Sequence, residues 1–222
     1  MSTLKGKLIL IFIVLSLVQC TTNRQISKND KKNVREQLAN MLSSDQKYRM
    51  MLMYGETNKR KLDSILQLPF DVRLNILKRH DTPEYGLSKA AADSLWKMQN
   101  KIDSDNVVQL KAIIARYGWP DERRFGENKA NIILMHADVQ KVKELHAFLL
   151  REVKLKRLRP ITFATIWDRK LIQQGQKQLY GTIAKFDTDG KTLEPLIENA
   201  DSTNSARELI GLRLIKKYRL SE

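Results

Sequence analysis

The chain has 222 residues, of which 40 are lysine or arginine and 25 are aspartate or glutamate, giving a formal charge of +15. This length suffices for one ordinary domain with a substantial core, so a second domain is not needed. The single cysteine excludes an intramolecular disulfide, so stability must come from core burial. The basic excess favours anionic partners, among them nucleic acid, phospholipid headgroups and acidic glycans.

The first element is a short apolar leader. Two lysines precede an apolar run from Leu8 to Val18. As a helix this run rises only about 16 Å, whereas crossing the hydrocarbon takes roughly 20 apolar residues. The pattern therefore predicts a cleaved signal peptide over residues 1–19 rather than a permanent membrane span.

The leader ends at Cys20, in the sequence LVQC, which resembles the lipobox of bacterial lipoproteins. This resemblance implies cleavage before Cys20, acylation of its thiol, and a lipid-anchored protein on the periplasmic or cell-surface side of a bacterial membrane. A plain secretory signal and an uncleaved anchor are the alternatives. Residues 20–33 are polar, without apolar periodicity, and predict a flexible tether. Export argues against nucleic acid and leaves an envelope protein, a glycan or an anionic lipid as partner.

From residue 34 to residue 222 the pattern predicts one helical domain. Apolar residues recur at helical spacing in two stripes, and the second stripe follows a possible cap at Ser88. Glycines and prolines between the stripes predict short helices and loops over 55–87. The stripes consist of Val34, Leu38, Met41 and Leu42, and of Leu95, Met98 and Ile102.

The remaining elements are mostly helical as well. Ser104 can cap a helix that ends at Tyr117, and the proline that follows makes a rigid corner. A change of period over 179–186, a turn at 187–190 and a return strand at 191–193 predict a β-hairpin. The fold class is therefore mainly α, an irregular multi-helix domain with a small β-hairpin near the C-terminus. Further helices are predicted at 128–138, from 139 or 140 to about 157, at 160–174, and at 205–220 with an interruption at Gly211.

The sequence lacks the strongest catalytic and metal-binding motifs. It has no phosphate-binding glycine loop, no Cys-x-x-Cys pair, no His-Glu-x-x-His and no Gly-x-Ser-x-Gly elbow. On one continuous helix His136 and His146 would lie about 15 Å apart, too far to share one metal. The pattern therefore predicts neither a metal site nor a cofactor.

Several polar residues are nonetheless candidates for a functional site. His136 follows two isoleucines by three and four residues, which places its ring on or beside the apolar face of a helix. A buried imidazole needs a hydrogen-bond partner, and Asp138 or Asp168 could fix its tautomer. Arg169 or Tyr180 could stabilise developing negative charge. The alternative is that these residues only cross-link helices.

Short motifs follow one another along the chain: DQxxR at 45–49, DN at 105–106, YGWP at 117–120, HAD at 136–138, DR at 168–169 and QxYGT at 178–182. Their order resembles an uncharacterised bacterial family of mostly helical proteins, a domain of unknown function whose members include lipoproteins. The resemblance covers about 34–220 and supplies no reaction. It adds ligand-binding candidates, which are Asp45, Gln46, Arg49, Asp105, Asn106, Trp119, Gln178 and Thr182.

Two hypotheses about function follow. The first is a cell-envelope lipoprotein with a non-catalytic helical binding or interaction domain, and the missing catalytic motifs favour it. The second is a hydrolase in which His136 is the general base and Asp138 or Asp168 orients it. The second requires those side chains to converge in a solvent-accessible pocket.

Overall fold

The computed structural model describes residues 26–79, 86–126, 129–186, 192–193 and 195–215. Within these residues the protein is mainly helical, which confirms the predicted class. In the same residues no helix combines the length and apolarity that crossing a bilayer requires. The predicted signal peptide, Cys20 and the turn at 187–190 lie outside the described residues. The helices are α1 (Lys28–Tyr54), α2 (Lys59–Leu66), α3 (Phe70–Arg79), α4 (Lys89–Tyr117), α5 (Glu122–Phe125), α6 (Ala130–His136), α7 (Val139–Lys154), α8 (Pro160–Gln173) and α9 (Ala200–Leu209).

Helix α1 begins earlier than the sequence pattern predicts. The hydroxyl of Ser27 accepts a hydrogen bond from the Asp30 amide at 3.0 Å and so caps the helix. Residues 28–33 are therefore helical and not part of a flexible tether. The tyrosine hydroxyl of Tyr117, at the end of α4, donates to Asp30 Oδ1 at 2.7 Å. The start of α1 thus lies against the end of α4, and the two long helices run antiparallel.

Helix α4 is one continuous helix of 29 residues. Ser88 caps it as predicted, because its hydroxyl accepts from the Ala91 amide at 3.3 Å. The predicted helix start at Ser104 is wrong: Ser104 lies inside α4, where its hydroxyl accepts from Lys141 Nζ at 2.5 Å. A serine can cap a helix only where the chain enters it, and here the helix has already formed.

The face of α4 that packs on α1 is more polar than the predicted stripe. Met98 is 39 % exposed, whereas Gln99 and Asn106 are buried. The side-chain amide of Gln99 donates to the Asp45 carbonyl at 2.9 Å, and that of Asn106 donates to the Met41 carbonyl at 3.0 Å. Because these amides are hydrogen-bonded, burying them costs little. They fix the register between the two long helices.

A second set of helices closes the core. Helix α6 packs against α1, α4 and α8, and α7 packs against α8. The helices predicted at 128–138 and from 139 or 140 to about 157 are present with shorter bounds. Ala137 and Asp138 are the non-helical residues between them. Each large apolar side chain buried here contributes about 2 kcal/mol relative to exposure. Fully buried members are Val107, Leu110, Phe125, Leu134, Val142 and Ala164.

The C-terminal region departs most from the prediction. Residues 179–184 do not form a strand, because the amides of Leu179, Tyr180 and Thr182 donate to the Asp168 carboxylate instead of to a neighbouring strand. Among the residues that the structure describes, antiparallel pairing is confined to β1 (Lys185–Phe186) and β2 (Thr192–Leu193), two residues each. The predicted β-hairpin is therefore not supported. The last predicted helix also differs, since α9 ends at Leu209.

Candidate functional site

The imidazole of His136 is held by a carboxylate from another helix. His136 ends α6, and its Nδ1 lies 2.9 Å from Asp45 Oδ1 and 2.8 Å from Oδ2. Asp45 belongs to α1 and is only 1 % exposed. Because an ionised carboxylate can only accept hydrogen bonds, Nδ1 must carry the proton. The pair therefore leaves Nε2 of His136 as the ring nitrogen that can serve a ligand.

Two further side chains complete this network. The Gln46 side-chain amide donates to Asp45 Oδ2 at 2.5 Å. The guanidinium of Arg49 hydrogen-bonds to Asp103 of α4, and its Nε lies 3.7 Å from Asp45 Oδ2. Arg49 therefore lies between two carboxylates. Its Nε–H is buried and has no hydrogen-bond acceptor among the described residues.

His136 and Arg49 line one open cleft of about 590 Å³, which we call the Trp96 cleft. One wall is apolar and includes Met53 and Trp96, which are 46 % and 45 % exposed. The lining also carries cations, because Arg49 of α1 and Arg169 of α8 belong to it. The full lining is Arg49, Leu52, Met53, Gly86, Leu87, Ala92, Trp96, His136 and Arg169.

A buried lysine of α8 donates hydrogen bonds to backbone carbonyls at the end of α6. Lys170 is 1 % exposed, and its ammonium donates to the Met135 carbonyl at 2.9 Å, the Ala137 carbonyl at 2.6 Å and Gln173 Oε1 at 3.0 Å. These carbonyls flank His136 and would otherwise be unpaired at the helix end. Burial, assisted by the neighbouring charge of Arg169, lowers the pKa of Lys170 to about 8. Lys170 thus fixes the position of His136 without facing the cleft.

Asp168, a predicted partner of His136, lies elsewhere and has other partners. It is fully buried, and its oxygens accept from the amides of Leu179, Tyr180 and Thr182, each at 2.9 Å, and from the Thr182 hydroxyl at 2.8 Å. Tyr180 is buried, and this burial together with the charge of Asp168 raises the pKa of Tyr180 to about 12. Gln178 closes the same loop through two hydrogen bonds with the backbone of Ile183. These residues shape a loop, and none of them belongs to the cleft lining that contains His136.

The other predicted site residues are also dispersed. Asp138 is exposed and caps α7 by accepting from the Gln140 amide at 2.8 Å, so it does not orient His136. Asp105 is exposed and pairs with Lys101 at 2.8 Å. Asn106 is buried between α1 and α4. Trp119 lies in a different cleft. The expected centre of His136 with Asp138 or Asp168 is therefore not assembled.

Sequence patterns did not single out four residues of the actual site. Gln99 and Asp103 are polar residues four positions apart on the buried face of α4, and that interruption of an apolar stripe was the available signal. Lys170 is a similar case, since it follows buried Ile166 by four positions. Trp96 gives no local signal, because its role depends on residues of α1 and α8 that line the same cleft.

Together the fold and the site define a mainly helical protein whose buried histidine–aspartate pair opens on a cationic cleft. The chain belongs to a family of unknown function, DUF6624, whose model matches residues 73–222. The expected kinship with an uncharacterised family is thus confirmed. The matched range contains His136 and Arg169 but begins after Asp45 and Arg49. Comparisons with curated proteins and with solved structures find no match.

Proposed function

We propose that the protein is a cell-envelope lipoprotein whose helical domain binds an anionic ligand with an apolar body in the Trp96 cleft, without chemical conversion. The single observation that carries this proposal is the cleft itself, where two arginines and His136 share one lining with apolar side chains. Ligand sites typically combine such apolar surface with a few well-placed polar groups.

Arg49 supplies a pre-organised anchor for the anionic group. Its guanidinium is held by Asp103 and lies 6.0 Å from the Trp96 ring centroid. Its side chain is 15 % exposed, so it reaches the cleft but does not move freely. A fixed guanidinium loses little conformational entropy when a carboxylate or phosphate binds.

The electrostatic arrangement of the cleft also favours an anion. The carboxylates of Asp45 and Asp103 are buried behind the wall, at 1 % and 8 % exposure. Arg169 is exposed at the cleft and belongs to its lining. Cations therefore face the ligand while the balancing negative charges lie behind them.

The apolar wall accounts for the second half of the ligand. Met53 and Trp96 are large side chains that remain about half exposed inside a concavity. A bound apolar group would remove that surface from water, contributing about 25 cal/mol per Å² buried.

The lipid anchor on Cys20 remains a proposal from the sequence, and loss of membrane association in Cys20→Ser would support it.

The binding proposal is tested with octanoate and octanol, which share an apolar chain and differ in charge. Arg169→Gln should weaken octanoate binding about tenfold in calorimetry, because one charge-assisted hydrogen bond is lost, and should leave octanol binding unchanged. The matched control is Lys97→Gln, which removes an exposed charge on α4. Equal octanoate affinity in wild type and Arg169→Gln, or no saturable binding of either probe, would contradict the proposal.

A second candidate function is hydrolysis, and the His136–Asp45 pair is the observation that favours it. The carboxylate holds the Nδ1–H tautomer, so Nε2 could accept a proton from water attacking an ester in the cleft. Under this function Asp45→Asn should lower the turnover of p-nitrophenyl octanoate at least about a hundredfold. A protein that binds octanoate but shows no turnover dependent on Asp45 and His136 is a binding protein only.

A further inference from the structure

A second cleft, separate from the Trp96 cleft, lies where α5 approaches the connection between α7 and α8. It has a volume of about 160 Å³. That is roughly ten times the minimum space that holds one water, so a small anion fits. Four cationic side chains from two parts of the chain line it, and we call it the basic cleft. They are Arg123, Lys156, Arg157 and Arg159.

The two walls of the basic cleft are tied together. Arg123, on α5, donates from its guanidinium to the Lys156 carbonyl at 2.7 Å. On the same side, Asp121 caps α5 and is bound by Arg124 Nε at 2.5 Å. Arg124 also donates to the Tyr117 carbonyl at 2.7 Å, which fixes the corner that carries Trp119. The cleft is therefore built on a rigid frame.

Lys156 occupies a position that usually belongs to glycine. Its φ of 57° makes it the one non-glycine residue with positive φ among the described residues. It follows the last turn of α7, where the Arg157 amide closes back on the Glu152 carbonyl at 2.9 Å. Left-handed backbone is unfavourable for a side chain such as lysine. Strain of this kind is concentrated at ligand-binding positions.

The cations of the basic cleft exceed the anions available to them. Within the described residues neither Lys156 nor Arg159 forms an ion pair, and both are exposed. Arg157 is partly committed to buried Glu152, at 3.4 Å. Of the two carboxylates in the lining, Asp121 is bound by Arg124 and also lies 3.6 Å from Arg123 Nε, and only Glu122 has no partner among the described residues. Arg159 precedes α8 without capping it, so the helix dipole adds to the positive potential.

We propose that the basic cleft binds a phosphate group, as a free phosphate ester or as the headgroup of an anionic phospholipid. Arginine and lysine donors converging from two walls suit the several acceptor oxygens of a tetrahedral anion. The neutral donors Asn131 and Thr162 lie in the same lining. The site is independent of the Trp96 cleft.

The test uses inorganic phosphate as the probe and the full chain carrying Cys20→Ser, so that an acyl group cannot contribute. The cleft variant is Lys156→Gly with Arg159→Gln, in which glycine keeps the left-handed backbone. The control is Lys143→Gln with Lys154→Gln, which removes the same charge from exposed positions of α7. Calorimetry should show phosphate binding at least about tenfold weaker in the cleft variant and changed less than about twofold in the control.

A second arm identifies the source of the phosphate. Sedimentation measures binding to phosphatidylcholine vesicles with and without phosphatidylglycerol. If the cleft variant weakens binding to anionic vesicles, the site belongs to a lipid headgroup. If it weakens binding of inorganic phosphate but not of vesicles, the site belongs to a soluble phosphate ester. Equal effects of the cleft and control variants in both arms, or no saturable binding in either, overturn the proposal.

Discussion

Two buried aspartates, Asp45 and Asp168, show how similar residues can have different roles in one small fold. Their exposed fractions are 1 % and 0 %. Asp168 accepts hydrogen bonds from the backbone and one hydroxyl of a single loop. Asp45 accepts from the side chains of His136 and Gln46 at the wall of an open cleft.

The difference between the two regions lies in the partners and not in the carboxylates. The backbone amides that bind Asp168 do not titrate, so Asp168 acts as a structural clamp on the loop after α8. The partner of Asp45 is an imidazole, which can exchange a proton and which lines a cleft. A buried charge is therefore a candidate functional residue when its partner is titratable and accessible, and a structural one when its partners are amides.

The largest expected effect separates the two aspartates by stability. Asp168→Asn places an amide donor against three backbone N–H groups and should lower the free energy of unfolding by about 3 kcal/mol. Asp45→Asn should cost only about 1 kcal/mol, because its amide oxygen can still accept from His136 and Asp103 still pairs with Arg49. Urea denaturation of both variants measures the difference. Equal losses would mean that Asp45 is as structural as Asp168.

A smaller effect concerns Lys170, which supports the His136 end of α6. Its pKa of about 8 in the folded protein lies below the ordinary lysine value of 10.5, because burial disfavours the charged form. Between these values the unfolded chain binds more protons, so the free energy of unfolding should rise with pH. From pH 8 to 10 the rise should reach about 2 kcal/mol relative to Lys170→Met. Above pH 10 the raised pKa of Tyr180, about 12, acts in the opposite direction.

The measurement for Lys170 is urea denaturation of wild type and Lys170→Met across that pH range. Surface groups titrate equally in both proteins, so the difference between the two curves isolates the buried lysine. Parallel curves would show that Lys170 stays charged throughout, held by its three acceptors. The support behind His136 would then be an ammonium ion at all these pH values.

Local patterns in the sequence were enough for the helical class and several helix ends. Ser88 before α4 and Pro160 at the start of α8 are signals that depend only on neighbouring residues. The predicted strand over 179–186 failed because Asp168, eleven positions earlier than Leu179, takes the backbone amides that a strand would use. A propensity for extended backbone does not reveal such a partner.

The site was predictable in its residues but not in its pairing. His136 and Asp45 both belonged to the candidates, yet they are separated by 91 positions and meet only because α1 and α6 pack together. Asp138 is much closer in sequence to His136 but is used as a helix cap. Sequence distance favours local partners, whereas packing decides which carboxylate reaches the ring.

The smallest expected effect extends the comparison to the basic cleft. A residue that serves a ligand should lower the free energy of unfolding, whereas a structural residue should not. Lys156 adopts φ 57°, and Lys156→Gly should raise the free energy of unfolding by about 1 kcal/mol because glycine adopts this conformation without a Cβ clash. Urea denaturation measures the gain, with Lys143→Gly as the control, which should lose about 1 kcal/mol inside α7. If Lys156→Gly instead lowers the free energy of unfolding, Lys156 stabilises the fold. The basic cleft would then be structural, as Asp168 is.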